Sequence, residues 1–156
     1  MFFPVRAVRA FVAAAIENKV GPRHVRDVIK YDKVDVTSIE PFLKNEDAWV
    51  RKCAAEVIAK RGNLRLLVDA AKVEQDKSVL MTMIEGLSKQ KEGLEEIVNL
   101  LESDDKAIRS DVIQMFRRAG RADCLFGLAF SDDDALVTRI KRYIEEQDGN
   151  QEDAKP

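Results

Sequence analysis

The side chains of this chain that most often take part in catalysis or metal binding are one histidine and two cysteines. His24 is the single histidine, and Cys53 and Cys124 lie far apart in the sequence. Zinc and redox sites use His and Cys ligands at close, characteristic spacing, so we expect no metal and no cofactor. The sequence also lacks a glycine-rich phosphate loop, a nucleophile elbow and a zinc-binding helix motif. We therefore expect a protein that is not an enzyme, with both thiols in the core and a reducing, cytoplasmic location.

Charged and polar side chains that suit recognition recur at intervals of 29 residues. One row is acidic to polar and consists of Glu56, Glu85, Gln114 and Tyr143. A basic row beside it consists of Lys60, Lys89 and Arg118. Such rows can recognise charged groups on a partner, although the helix dipole alone also favours cations at helix C-termini.

An aspartate marks each of four repeat units. Asp47, Asp76, Asp105 and Asp134 stand 29 residues apart, and a β-branched apolar residue follows each of them three positions later. A fixed period of this length is typical of stacked supersecondary units. Asp favours a helix N-terminus because its carboxylate accepts hydrogen bonds from the unpaired amides there. We therefore predict that the second helix of each unit begins at or just after this residue.

Each unit is predicted to contain a short first helix, a polar turn and a longer second helix, because no segment shows a sustained strand pattern. The first helices are predicted at residues 38–44, 64–72, 94–101 and 122–130. The second helices are predicted at residues 47–60, 76–89, 105–119 and 134–146. Glycines that are expected to close second helices recur in one register at Gly62, Gly120 and Gly149.

Apolar residues at equivalent positions of the units form three columns that predict the core. The first column is Val50, Val79, Ile108 and Val137. The second column, from the first helices, is Ile39, Val68, Ile97 and Phe126. The third column is Ile58, Leu87 and Phe116. Glu145 breaks the third column in the last unit, as expected where a terminal unit has a solvated face.

The four units resemble HEAT-like repeats of the bilin-lyase type over about residues 38–147. In that family, an acidic turn leads through Asp to a Val-Arg pair and then to small residues. The best match here is the turn 44–47 with Val50-Arg51 and Ala54-Ala55, and the next best is the turn 103–105 with Ile108-Arg109. Leu80 and Thr138 replace the arginine in the other two units.

The resemblance implies an all-α fold, a right-handed α-solenoid of about five helical hairpins. Residues 1–147 are expected to form one domain, with diverged capping helices in 1–36 and the four units in 37–147. Residues 148–156 are expected to form a flexible polar tail because they lack an apolar period. The apolar segment 1–16 is interrupted by Arg6 and Arg9 and is too short to span a bilayer, so we expect no membrane insertion.

The resemblance also places the second helices on the concave side of the superhelix, where a partner would bind. Counting about 100° per residue from the Val50 column identifies the outward positions of these helices. The resulting partner-binding candidates are Lys52, Glu56, Lys60, Met81, Glu85, Lys89, Gln114, Arg118, Arg139 and Tyr143.

These features together favour a non-catalytic scaffold that binds another protein through the concave face. A nucleic-acid-binding helical-repeat protein is the alternative, and it would need a locally segregated basic stripe because the formal net charge is −2. A bilin-lyase-like enzyme is a further alternative, since its motif is the same repeat. Iron-binding hydroxylases built from similar repeats use His-Glu pairs, whereas Val25 follows His24 here.

Overall fold

The computed structural model describes residues 10, 13–14, 21–30, 34–129 and 131–152 of the chain. This part of the chain is all-α and contains no strand, as predicted. Its α-helices are α1 (Pro22–Ile29), α2 (Val36–Ile39), α3 (Ala48–Arg61), α4 (Leu64–Val73), α5 (Lys77–Ser88), α6 (Lys91–Leu101), α7 (Lys106–Ala119), α8 (Arg121–Leu128) and α9 (Asp134–Glu152). A 3₁₀ helix, Glu40–Lys44, follows α2 directly. Most of the predicted apolar segment 1–16 lies outside the described residues.

Periodic aspartates begin the second helices, although the fourth unit differs in detail. Asp47, Asp76 and Asp105 each accept a hydrogen bond of 2.8–3.0 Å from an amide in the first turn of α3, α5 and α7. These three caps confirm the prediction. In the fourth unit, Asp134 is the first helical residue, and Asp133 accepts a 3.1 Å bond from the amide three residues later.

Two of the three predicted glycine turns are present. Gly62 and Gly120 have φ angles of 93° and 84°, a region that favours glycine, and they end α3 and α7. Gly149 instead lies inside α9, so the predicted turn there and the predicted helix end at residue 146 are wrong. Gly62 and Gly120 each lead into a following helix, whereas the helical conformation continues through Gly149.

The predicted core columns are buried except at two positions. Ile108 in the first column is only half-buried. Phe126 in the second column is 66% exposed, so its assignment to the core is wrong. The reason is that α8 packs mainly against α5, and this contact buries Cys124, Gly127 and Leu128 on a different face of α8.

Small residues allow several of these helices to approach closely. A Cβ atom added at Gly86 of α5 would lie 2.6 Å from the Cβ atom of Ala59 in α3. A Cβ atom added at Gly127 of α8 would lie 3.1 Å from side-chain atoms of Ile84 and Met81 in α5. Glycine is therefore needed where α5 meets α3, and it permits a close contact where α5 meets α8.

Helix neighbours follow the repeat order through α6 and then change. The second helices α3 and α5 pack side by side, and the first helices α4 and α6 do the same. Beyond them, the first helix α8 packs against the second helix α5, and the second helix α9 packs against the first helix α6. The fourth unit therefore reverses the arrangement of the earlier units. Helix α7 contacts α4, α5, α6 and α8, and thus lies across both rows.

Candidate functional site

A surface groove between α3 and α5 contains half of the predicted partner-binding residues. Its volume is about 530 Å³. The predicted residues that line it are Lys52, Glu56, Lys60, Glu85 and Lys89. These side chains were selected from the helical angle and the repeat register, and the two helices bring them together on one surface. We refer to this surface as the α3–α5 groove.

The groove exists because α3 and α5 run in the same direction and meet through small residues. Near their N-terminal ends, the Lys52 ammonium donates to the Ser78 hydroxyl at 3.2 Å. Further along, Ala59 and Gly86 face each other and line the groove. Near the C-terminal ends, the Gln90 side-chain amide donates to the carbonyl of Ala59. Small side chains between longer ones leave an open channel bounded by polar groups.

Charge changes sign twice along the α3–α5 groove. Lys52 lies toward the N-terminal ends of the helices, Glu56 and Glu85 lie in the middle, and Lys60 and Lys89 lie toward the C-terminal ends. The two lysines at the C-terminal ends also complement the negative ends of the helix dipoles. The surface is therefore mixed in sign, unlike the continuous basic stripe that a phosphate backbone requires.

Ion pairs within the protein hold two of these carboxylates, but both pairs are solvent-exposed. Lys89 lies 2.6 Å from Glu85 on the same helix, and Lys30 of α1 lies 3.8 Å from Glu56. Exposed pairs of this kind contribute about 0–1 kcal/mol each. A partner can therefore replace them at little cost.

Met81, a predicted apolar contact for a partner, points to another helix. Its side chain is half-buried, and its Cε atom lies against Gly127 of α8. It is not among the residues that line the α3–α5 groove. Met81 therefore serves the packing of α8 on α5.

The two predicted residues on α7 also lie away from the groove. Gln114 is exposed on α7. The Arg118 guanidinium donates to three carbonyls in the last turn of α4 and just beyond it, at 2.5–3.3 Å. Carbonyls at a helix C-terminus lack partners within the helix, so Arg118 satisfies them. It does not continue the basic row of Lys60 and Lys89.

Arg139 and Tyr143 meet at a third place, where α9 packs on α6. Both donate to the same carboxylate oxygen of Glu102, and the Tyr143 bond measures 3.0 Å. Hydrogen bonds from Arg139 and Tyr143 lower the pKa of Glu102, and the bond to Glu102 raises the pKa of the Tyr143 hydroxyl. The cluster is exposed and joins the last helix to the preceding unit.

A buried ion pair between Arg51 and Glu74 is the polar cluster that the sequence did not predict. The Arg51 guanidinium donates to both carboxylate oxygens of Glu74, at 2.8 and 3.0 Å. It also donates to two carbonyls in the turn before α3, at 2.8 and 3.0 Å. Glu74 is only 6% exposed and accepts two further bonds from the amides that follow it, at 2.8 and 2.9 Å. One arginine thus connects the turns that precede α3 and α5.

The 29-residue repeat indicated the arginine of this cluster but not the glutamate. Arg109, which stands at the position equivalent to Arg51, donates to the carbonyl of Ser103 in the turn before α7. The Val-Arg pair therefore has a structural role within its own turn. The role of Glu74 could not be predicted from the repeat, because its contact with Arg51 depends on how two units stack.

Opposing effects set the pKa of Glu74. Burial raises the pKa of this carboxyl group, but bonds from Arg51 and from the amides of Asp76 and Gln75 outweigh burial and hold the pKa below its usual range. The same contact raises the pKa of the Arg51 guanidinium. Both groups are therefore charged near neutral pH, and the pair acts as a fixed structural connection.

Both cysteines are buried, as predicted. Burial raises the pKa of the Cys53 thiol and raises that of Cys124 to about 12. A thiol reacts through its thiolate form, so neither group is activated for nucleophilic chemistry. The described residues also contain no cluster of three His, Cys, Asp or Glu side chains suited to hold a metal ion.

Within the described ranges, every helix is too short or too polar to cross a membrane. We found no family model, curated protein or solved structure that matches this chain.

Proposed function

We propose that this protein is a non-catalytic scaffold of HEAT-like α-solenoid type that binds another protein in the α3–α5 groove. One observation carries the proposal. Five of the ten positions chosen from the helical angle and the 29-residue register line a single open groove. Concave clefts with a few convergent polar groups are where binding sites usually occur.

The repeat architecture within the proposal is supported by packing and by local chemistry. Second helices α3 and α5 are neighbours, as are first helices α4 and α6. Asp47, Asp76 and Asp105 cap equivalent helices, and Arg51 and Arg109 make equivalent bonds to their turns. Stacked units of this kind create extended surfaces that other proteins bind.

Rigidity of the groove favours binding. Arg51 and Glu74 fix the turns at the N-terminal ends of α3 and α5, and the Ala59–Gly86 approach fixes the spacing further along. A surface that is already ordered loses little conformational entropy when a partner docks. The groove walls therefore need little rearrangement to receive another chain.

Nucleic acid fits this groove less well than protein does. Glu56 and Glu85 place two carboxylates in its middle, where they repel phosphates. Arg118, which the alternative requires in a basic stripe, binds carbonyls of α4. A protein partner can offer both signs of charge and can therefore satisfy the whole groove.

Affinity capture from the native cell lysate tests the proposal. The baits are the wild-type protein, a groove variant Lys60→Glu/Lys89→Glu, and a control variant Lys44→Glu/Lys106→Glu that makes the same charge change at exposed sites outside the groove. After nuclease treatment, we expect the wild type and the control to retain the same protein in near-stoichiometric amount and the groove variant to lose it.

Two results of this experiment contradict the proposal. If nuclease removes all co-purifying material from the wild type, nucleic acid becomes the leading ligand. If the groove variant retains the partner as well as the control does, the binding surface lies elsewhere on the molecule.

A further inference from the structure

Charges in the α3–α5 groove follow the period of an α-helix. On α3, Lys52, Glu56 and Lys60 are spaced by four residues, and on α5, Glu85 and Lys89 are spaced by four. Because an α-helix rises about 1.5 Å per residue, each change of sign occurs over about 6 Å along either helix. The pattern along α3 is positive, negative, positive, and the pattern along α5 is negative, positive.

Like charges are neighbours across the groove, with a stagger between the two parallel helices. The contacts Lys52–Ser78 and Ala59–Gly86 join residues 26 and 27 apart in the sequence. Glu85 therefore lies two or three residues beyond the level of Glu56, and Lys89 lies as far beyond Lys60. Glu56 and Glu85 therefore act together on a nearby charge, and so do Lys60 and Lys89. The result is a negative band in the middle of the groove and a positive band at its C-terminal end.

A helix is the partner element that matches these bands most simply. Acidic, basic and acidic side chains at positions i, i+4 and i+8 of a helix lie on one face and rise by the same 6 Å or so per step. A helix that crosses α3 and α5 at a shallow angle, about 20°, keeps this register over two turns. Ala59 and Gly86 leave room beneath the central cation, where the carboxylates of Glu56 and Glu85 can bind it.

We infer that the protein partner presents to the groove an α-helix with the charge pattern acidic, basic, acidic at positions i, i+4 and i+8. This inference rests on the proposed function, because it names the chemistry of the partner at the same site. The central cation is best supplied by arginine, whose planar guanidinium binds two carboxylates at once. Binding exchanges the exposed pairs Lys89–Glu85 and Lys30–Glu56 for pairs between the two proteins.

Synthetic helical peptides test the inference with the full chain. One fluorescent peptide carries Glu, Arg and Glu at i, i+4 and i+8, and a second peptide of equal helicity carries Arg, Glu and Arg at those positions. We expect the first to bind about tenfold more tightly by fluorescence anisotropy at low salt, with the difference shrinking at moderate salt. Equal binding of the two peptides, or binding of neither at low salt, overturns the inference.

A carboxylate variant separates this ligand from nucleic acid. Glu56→Gln/Glu85→Gln removes the negative band, and Glu92→Gln/Glu95→Gln makes the same change at exposed positions of α6. We expect only the groove variant to weaken the Glu-Arg-Glu peptide, by about fivefold or more. If a single-stranded oligonucleotide binds more tightly than the peptide, and the groove variant strengthens it, both the inference and the proposed function fail.

The affinity-capture experiment distinguishes failure of the scaffold function from failure of the inferred charge pattern. A natural partner that is lost with Lys60→Glu/Lys89→Glu while both peptides bind equally leaves the scaffold function standing and refutes only the charge pattern.

Discussion

At the residue scale, the Arg51–Glu74 pair joins two units through two hydrogen bonds between a guanidinium and a buried carboxylate. Glu74 is almost completely buried, and each of its oxygens accepts a bond from Arg51. A buried pair of this kind adds little net stability compared with apolar residues, but the removal of one partner leaves a charge without compensation. Its main effect here is to fix the relative position of two turns.

We expect Arg51→Met to lower the free energy of unfolding by about 3 kcal/mol, because it leaves the Glu74 carboxylate buried and unpaired. The double variant Arg51→Met/Glu74→Gln should recover a large part of this loss, since Gln is neutral and still accepts the amides of Gln75 and Asp76. Urea unfolding followed by circular dichroism measures both. A double variant as unstable as Arg51→Met would contradict the assigned role of the pair.

Acid should destabilise the wild type through the same group. The pKa of Glu74 is lower in the folded protein than in the unfolded chain, where about 4.3 is usual, so the unfolded chain takes up protons first. The stabilising contribution is complete above the unfolded value and disappears as the pH falls from there through the folded value. Urea unfolding from pH 6 to pH 3 should therefore show a smaller loss in Arg51→Met/Glu74→Gln than in the wild type, and equal losses would argue against Glu74.

At the element scale, two glycines determine how closely α5 approaches its neighbouring helices. Gly86 lets α5 approach Ala59 of α3, and Gly127 lets α8 approach α5. The same two contacts set the width of the groove and the place of α8. Glycine inside a helix costs about 1 kcal/mol relative to alanine, and close packing offsets that cost here.

Gly86→Ala should destabilise the protein by about 1–3 kcal/mol, because the new methyl group would lie 2.6 Å from the Ala59 Cβ atom. The reverse exchange supplies the control. In Ala59→Gly/Gly86→Ala the clash is absent, so the loss should be clearly smaller than the sum of the two single losses in a double-mutant cycle. Additive losses would show that α3 and α5 separate freely at this point.

Local signals in the sequence predicted the start and end of most helices. Contacts between helices that are distant in the sequence could not be predicted in this way. Asp47 and Gly62 act on amides and dihedral angles within a few residues, so their effects can be predicted from the chain alone. The exposure of Phe126 depends on α8 lying beside α5, which no periodic pattern encodes. The groove residues were predictable because both of their helices follow the repeat, whereas Arg118 was not, because its partners belong to a distant turn.

At the scale of the whole molecule, α8 links units that a simple stack would keep apart. Solenoid units usually contact only their neighbours, and their stability is then a sum of local terms. Here α8 of the fourth unit packs against α5 of the second, while Arg118 of the third unit binds carbonyls at the end of α4 in the second. These long-range contacts couple the units.

We therefore expect one cooperative unfolding transition. Trp49, the single tryptophan, lies in α3 and is 39% exposed, so its fluorescence reports the first unit, while circular dichroism reports all helices. The two urea curves of the wild type should coincide. In Arg118→Ala, which removes the bonds to α4, we expect a loss of about 1–2 kcal/mol and a separation of the curves. Curves that separate already in the wild type would show that the units unfold independently.

Arg51 also limits which segments of this chain can be moved into another protein without loss of a charge partner. Its guanidinium binds carbonyls of its own turn on one side and a carboxylate before the next second helix on the other. A 29-residue unit whose boundary falls between Arg51 and Glu74 would therefore carry one charge of the pair without the other when moved into another protein. Segment 45–76 keeps the pair together with the carbonyls that Arg51 binds and the amides that bind Glu74, whereas a piece cut between the two residues would inherit an uncompensated buried charge.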